Sequence, residues 1–262
     1  MAKCTRPVEI KGRKLPCGRC GSCKANRAYE WSLRLMHELD EHKDALFLTL
    51  TYNDENCPDQ ILKSHLQGWL KRVRLELGTR RIKYYAAGEY GERTGRPHYH
   101  AIVFGVGYDD IKLLRDAWPY GFIGFGSVSF ASIKYTCAYV QKKLYGKAAK
   151  QEYGDKQVPF ALMSKGMGKK WMEKNIDGIL IKGGIMMQGV ARRIPRYYVK
   201  NLKEVLTDDY WNDRFLEYMA GKREKEDAQG LDPLNAWKRE CQARNQIEAE
   251  QAFWNSVKNP KF

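Results

Sequence analysis

Residues 81–105 constrain the fold more than any other stretch of the chain. RIKYYAAGEY (81–90) and PHYHAIVFG (97–105) are β-like runs joined by Gly91-Glu92-Arg93-Thr94-Gly95-Arg96, a polar turn containing glycine, so they read as an antiparallel hairpin. ALFLTLTY (45–52) is apolar, short and stopped by the turn cluster at 53–56 before Pro58, which predicts a buried strand, and FIGFGSVSF (122–130) predicts another. Between these runs the apolar period changes to that of a helix. Tyr29, Leu33, Met36 and Leu39 mark a helix over 25–42; Leu62, Leu66, Trp69, Leu70, Val73 and Leu77 mark a second over 60–77, ended by Gly78. A short helix is expected over 109–119 and a Tyr- and Lys-rich one over 131–147. That order predicts an α+β domain: a central, mainly antiparallel sheet flanked by helices.

Three regions follow from composition: a Cys-rich N-terminal segment (1–24), a folded body (25–203) and a polar, helical C-terminal tail (204–262). From 150 to the tail, short helices and loops are expected. With 43% hydrophobic residues among 262, the chain can bury a substantial core, which excludes disorder over most of its length. No stretch approaches the roughly 20 apolar residues of a membrane span, and the N-terminus has no apolar core of a signal peptide, so no membrane partner is expected. The formal charge of +15 points to an anionic partner. Residues 1–200 carry 36 basic and 19 acidic side chains, and residues 201–262 carry 10 and 12, so the excess lies on the body. The segment 131–200 alone has 15 Lys and Arg against 4 acids, interleaved with Tyr153, Trp171, Tyr197 and Tyr198, which reads as a surface that grips and stacks on a single strand; the alternatives are a merely solvated basic surface and aromatics that belong to the core. Its candidate DNA contacts are Lys134, Lys147, Lys169, Lys170, Arg192, Arg193 and Arg196. Arg96 joins them, although with Glu92 its first use is to shape the hairpin turn.

His98 and His100 are two of only five histidines, and alternation on a strand turns both imidazoles to one face. Glu89, on the partner strand just before the turn, would complete a His-His-Glu metal site with positions left open for a phosphate oxygen. The alternative is two histidines that merely pack on a sheet face. Tyr139 and Lys143 are one helical turn apart, with Lys142 beside them, so a phenol nucleophile has cations near it. Cys17, Cys20 and Cys23, with Cys4 upstream, have metal-ligand spacing and fit a reducing compartment; a structural Zn²⁺ site, unligated thiols and an iron–sulfur cluster all remain open. Cys57, Cys137 and Cys241 read as ordinary thiols.

These residues carry a family resemblance. Gly-Glu-Tyr-Gly at 88–91, Gly-Arg-Pro-His-Tyr-His-Ala-Ile-Val-Phe-Gly at 95–105 and the Tyr-Val-x-Lys helix at 139–142 resemble the HUH endonucleases, and more narrowly the replication initiators of small single-stranded DNA microviruses of the gokushovirus type. Pro-Cys-Gly-x-Cys at 16–20, Phe-Ala-Leu-Met-Ser at 160–164, Trp-Met-Glu-Lys at 171–174 and Ile-Pro-Arg-Tyr-Tyr at 194–198 stand in the family's order, so the resemblance spans about residues 4–203. It implies a Mg²⁺ or Mn²⁺ ion held by His98, His100 and Glu89, and Tyr139 attacking the scissile phosphate of a single-stranded replication origin. The products would be a 5′-phosphotyrosine and a 3′-hydroxyl primer for rolling-circle replication of a phage genome. Host DNA polymerase is expected as a partner in the bacterial cytoplasm, with a host helicase because the chain carries no Walker-type loop. The chain departs from the two-tyrosine pattern: Lys143 stands where the second tyrosine would be, which leaves either a single-tyrosine enzyme or Tyr135, four residues before Tyr139, as the partner. Tyr145 lies on another side of the helix. A relaxase or single-strand transposase of the same superfamily, and a non-catalytic zinc-containing nucleic-acid-binding protein, are the competing readings.

Overall fold

A computed structural model describes residues 3–10, 12–91, 93–142, 144–187 and 190–205, with Asp213, Leu216, Glu217 and Ala220 beyond them. The described chain divides into two compact units, Arg6–Met172 and a second that joins residues 1–5 to 173–262. The first opens with a small hairpin, β1 (Val8–Ile10) and β2 (Arg13–Leu15), turned at Gly12 with φ +70°. Then follow α1 (Gly21–Leu39), β3 (Ala45–Tyr52), α2 (Lys63–Leu77), β4 (Lys83–Tyr90), β5 (Pro97–Phe104), a 3-10 turn (Tyr108–Asp110) leading into α3 (Ile111–Asp116), β6 (Gly121–Ser127), α4 (Phe130–Lys142), α5 (Lys147–Tyr153), β7 (Phe160–Met163) and α6 (Lys169–Lys174).

Five strands form one sheet in the order β6-β3-β5-β4-β7, and every neighbouring pair is antiparallel. The histidine strand β5 is therefore central. Its alternation divides the sheet between two apolar layers. Tyr99, Ala101 and Val103 join Leu46, Leu48 and Leu50 of β3 beneath Leu66, Trp69, Leu70 and Val73 of α2. Ile102, Phe104 and Tyr85 pack on the opposite face against Ala28 and Leu35 of α1 and Ile133 and Cys137 of α4. Burial pushes the Cys137 thiol up to about 12, so it is an inert core residue. The expected α+β architecture is the one observed.

Several segments differ from the sequence reading. Phe160–Met163, expected among helices and loops, is the fifth strand; four residues are too few for a period-2 signal. β1 and β2 lie in the N-terminal segment, where no strand was expected. The helix over 131–147 ends at Lys142, and Gly146, with φ +59°, precedes a separate α5, so Lys147 does not share a helix with Tyr139. Phe130, read as the end of a strand, begins α4.

The second unit contains α7 (Ile176–Lys182), the hairpin of β8 (Ile185–Met187) and β9 (Val190–Arg192), and α8 (Arg196–Val205). Ile179, Leu180, Ile185, Ile194, Tyr198, Asn201 and Leu202 are among its buried residues. That hairpin too lies where only short helices and loops were expected. Lys143, Glu92, Cys241 and nearly all of the tail lie outside the described residues.

Candidate metal and tyrosine centre

The site is built on one face of β5 and closed by α4. His98 is the register partner of both Glu89 on β4 and Thr51 on β3, and His100 is the partner of Ala87 and Thr49. The ligand atoms of Glu89, His98 and His100 lie within 4.8 Å of one another. Glu89 Oε1 is 3.0 Å from His98 Nε2 and 3.6 Å from His100 Nε2. Glu89 and His100 are almost wholly buried, at 4% and 6% exposure, a setting in which a carboxylate needs compensating charge.

The far side of each imidazole is held. His98 Nδ1 faces the Arg96 carbonyl at 3.2 Å, and His100 Nδ1 is hydrogen-bonded to Thr49 Oγ1 at 3.1 Å. Such second contacts fix ring orientation, as they do for metal-ligating histidines. They also test whether the residues suit a cation. His98 stands between two acceptors, a carbonyl and a carboxylate, and a neutral imidazole has only one N–H to offer. A cation held among the three side chains would satisfy the contact with Glu89. The His-His-carboxylate donor set fits a divalent ion that keeps open positions.

Tyr139 stands directly over these groups. Its ring is stacked on His100, with centroids 4.9 Å apart and planes 2° from parallel. Burial, then the Glu89 charge and hydrogen bonds to Tyr135 and Glu89, raise the phenol far above its ordinary range, so it is held protonated. Tyr135 meets both His100 (5.1 Å, 81°) and Tyr139 (5.0 Å, 82°) edge to face. Phe47 stacks parallel to His100 at 5.9 Å. A cavity of about 330 Å³ opens beside Tyr139, lined by Arg27 and Trp31 of α1, Tyr145, and Phe160 and Met163 of β7.

The structure thus brings Glu89, His98, His100, Tyr135 and Tyr139 together. Lys142 is the last residue of α4. Tyr145 lies beyond that helix, with Arg19 and Lys24 over its ring at 5.9 Å. Arg96 pairs with Asp54 and donates to the Tyr52 carbonyl at 3.1 Å, tying the hairpin to the 53–56 turn. Lys134 is half-buried with its ammonium over Phe130, Lys147 is exposed, Lys169 is half-buried, and the exposed Lys170 pairs with Glu41 at 3.3 Å. Arg192, Arg193 and Arg196 are exposed in the second unit. Of the aromatics expected to stack on bases, Trp171 is stacked on His37, Tyr153 on Tyr90, and Tyr198 is fully buried. Sequence reasoning missed Thr49. Its signal is present in ALFLTLTY, where the alternate positions Phe47, Thr49 and Thr51 put two hydroxyls on one side of an otherwise apolar strand.

The sequences most informative for comparison all concern phage replication. A family model for the ORF2 type of replication-associated protein matches residues 45–144, the stretch from β3 to just past the end of α4. The replication-associated protein VP4 of Bdellovibrio phage phiMH2K is 34% identical over 217 residues, covering 72% of this chain and 68% of the relative. Replication-associated protein ORF2 of Spiroplasma virus 4 is 30% identical over 246 residues (82% and 75%), and replication-associated protein ORF4 of Chlamydia phage 1 is 26% identical over 220 (74% and 55%). No solved structure matches the chain. With the β3 strand, the histidine hairpin and the tyrosine helix all inside the matched region, the chain belongs to the phage replication-associated proteins, the microvirus-type replication initiators.

Proposed function

We propose that this replication initiator is a site-specific nicking and strand-joining enzyme that opens a single-stranded origin through a covalent 5′-phosphotyrosine and leaves a 3′-hydroxyl primer. The observation that carries the proposal is the stacking of Tyr139 on His100 together with its hydrogen bond to Glu89, which puts a phenol oxygen against the two groups best suited to hold a cation. Glu89, His98 and His100 would hold Mg²⁺ or Mn²⁺, which supplies a Lewis acid for the scissile phosphate. Glu89 accepts the hydrogen bond of the Tyr139 phenol and is placed to take its proton. The phenol oxygen then bonds to phosphorus as the bond to the 3′-oxygen breaks, and that oxygen leaves with a proton as the primer hydroxyl. Rejoining reverses these steps with another strand's 3′-hydroxyl. The raised proton affinity of Tyr139 keeps the nucleophile quiet until substrate is seated.

The origin strand is the partner in this reading, and the cavity beside Tyr139 gives room for a nucleotide next to the scissile phosphate. Host polymerase would extend the primer and a host helicase would open the duplex, inside the bacterial cytoplasm. Among the described residues no helix is long and apolar enough to cross a membrane. Tyr135, touching both His100 and Tyr139, supports a second reading in which it takes the place of the tyrosine missing at position 143.

The test uses an origin oligonucleotide with Mn²⁺ or Mg²⁺. The wild-type chain should form a covalent adduct, and His98→Ala should lose it while keeping salt-dependent binding to the same oligonucleotide. Full cleavage by His98→Ala would refute the metal assignment.

A further inference from the structure

We propose that Cys17, Cys20 and Cys23 hold a structural zinc ion that fixes the start of α1 and with it the wall of the cavity beside Tyr139. The sulfurs of Cys17, Cys20 and Cys23 lie within 4.8 Å of one another. Spacing alone does not produce that: three side chains on an irregular turn entering a helix have many other directions to take. The turn is folded around the first sulfur. The backbone N–H groups of Arg19 and Cys20 donate to Cys17 Sγ at 3.5 and 3.4 Å, and Gly18, at φ +74°, occupies the left-handed conformation the reversal requires. Two N–H groups aimed at one sulfur suit an anionic thiolate better than a thiol, which is a weak acceptor.

Cys20 caps α1 without a side-chain cap hydrogen bond, and Cys23 lies buried in the first turn. The positive end of a 19-residue helix and the nearby Arg19 and Lys24 offset the negative charge that gathering thiolates creates. A soft, all-sulfur set selects zinc over hard ions such as Mg²⁺ and Mn²⁺. Three thiolates leave a tetrahedral ion one further position to fill.

The consequence reaches the tyrosine side of the sheet through α1. A Cβ built on Gly18 would lie 3.5 Å from a guanidinium nitrogen of Arg27, so the turn packs against that side chain, and Arg27 lines the cavity beside Tyr139. Arg19 and Lys24, on either side of Cys20, lie over the ring of Tyr145, another cavity residue. An ion that locks the turn therefore holds Arg27 on the cavity wall and two further cations over Tyr145. The metal assignment stands apart from the nicking reaction, whereas its effect on DNA rests on that reading.

The experiment measures metal content of the full chain, produced with zinc in the medium and dialysed into Mg²⁺ buffer. One zinc per chain is expected, kept in His98→Ala and lost in Cys20→Ser and in Cys17→Ser. Because a cysteine variant can fail to fold, the wild-type protein is also loaded with Co²⁺, which should give sulfur-to-cobalt charge-transfer absorption and tetrahedral d–d bands. Absence of stoichiometric zinc, iron with acid-labile sulfide, zinc lost with His98→Ala but kept with Cys20→Ser, or cobalt spectra without sulfur ligation would each overturn the site. Removing zinc with a chelator should weaken binding of a single-stranded oligonucleotide, and restoring zinc but not Mg²⁺ should recover it. Zinc without a covalent adduct would refute the nicking reading alone; an adduct without zinc would refute this proposal alone.

Discussion

At the scale of single residues, proton and hydrogen-bond arrangements separate the site from its scaffold. Thr49 is the clearest case: its hydroxyl holds His100 Nδ1 at 3.1 Å and leaves Nε2 turned toward Glu89. Thr49→Val keeps the shape and removes the bond, and it should weaken Mn²⁺ binding by roughly 10- to 100-fold, the range for losing an orienting partner of a ligand histidine, as read by metal titration. His37 behaves in the opposite way. It is 7% exposed and stacked on Trp171 at 3.5 Å, and burial lowers it to about 4. The fold thus holds it neutral while the unfolded chain protonates it near 6.5, so its contribution is complete above that pH and is lost as pH falls toward 4. The shift corresponds to at most about 3 kcal/mol. Urea unfolding should show stability falling through that window in the wild type and a flatter profile in His37→Gln. Its neighbour Glu38 acts lower: burial would raise its pKa, but hydrogen bonds from His42, Lys83 and the Gly168 N–H hold it down to about 2, so its contribution fades only below about 4.5.

At the scale of elements, β5 serves both faces of the sheet. His98 and His100 face the candidate metal site, while Tyr99 between them crosses to α2. That helix begins after Leu62 with no side-chain cap, and the Tyr99 hydroxyl takes its place, accepting from Leu62 N–H and donating to its carbonyl, each at 2.9 Å. Tyr99→Phe should cost about 1–2 kcal/mol, because buried polar groups lose their partner, and lower the melting temperature by a few degrees without changing Mn²⁺ affinity. An equal loss of metal binding would mean the two faces are not independent. This alternation is also why so much of the site was legible in the sequence. Period 2 places Glu89 and the histidines on one face once the hairpin is recognised, and Tyr139 follows from the helix that the resemblance adds. What stayed hidden depends on contacts distant in sequence or on very short runs. Phe160–Met163 becomes a strand because β4 offers it an edge, and the break at Gly146 needed a positive φ that many glycines never adopt. The metal-side role of Thr49 needed the register between β3 and β5.

At the scale of the whole molecule, the charge of +15 is spread over parts with different tasks. Several cations are already engaged within the fold, Arg96 with Asp54, Lys170 with Glu41 and Lys83 with Glu38, and these contribute less to DNA affinity than a count of basic residues suggests. Lys147, Arg192 and Arg193 are exposed, and in the proposed reading they would take phosphate contacts. In the proposed reaction, affinity for the strand would be a distributed property, while bond breaking would be concentrated on one rung of the sheet and one turn of α4. That division is the account's central claim, and it is tested most directly by mapping the residue covalently joined to an origin oligonucleotide after reaction with Mn²⁺. The account predicts the 5′-phosphate on the peptide that contains Tyr139, and no adduct from Tyr139→Phe although that variant still binds the oligonucleotide. An adduct carried at full yield by Tyr139→Phe, or by a residue outside α4, would contradict it.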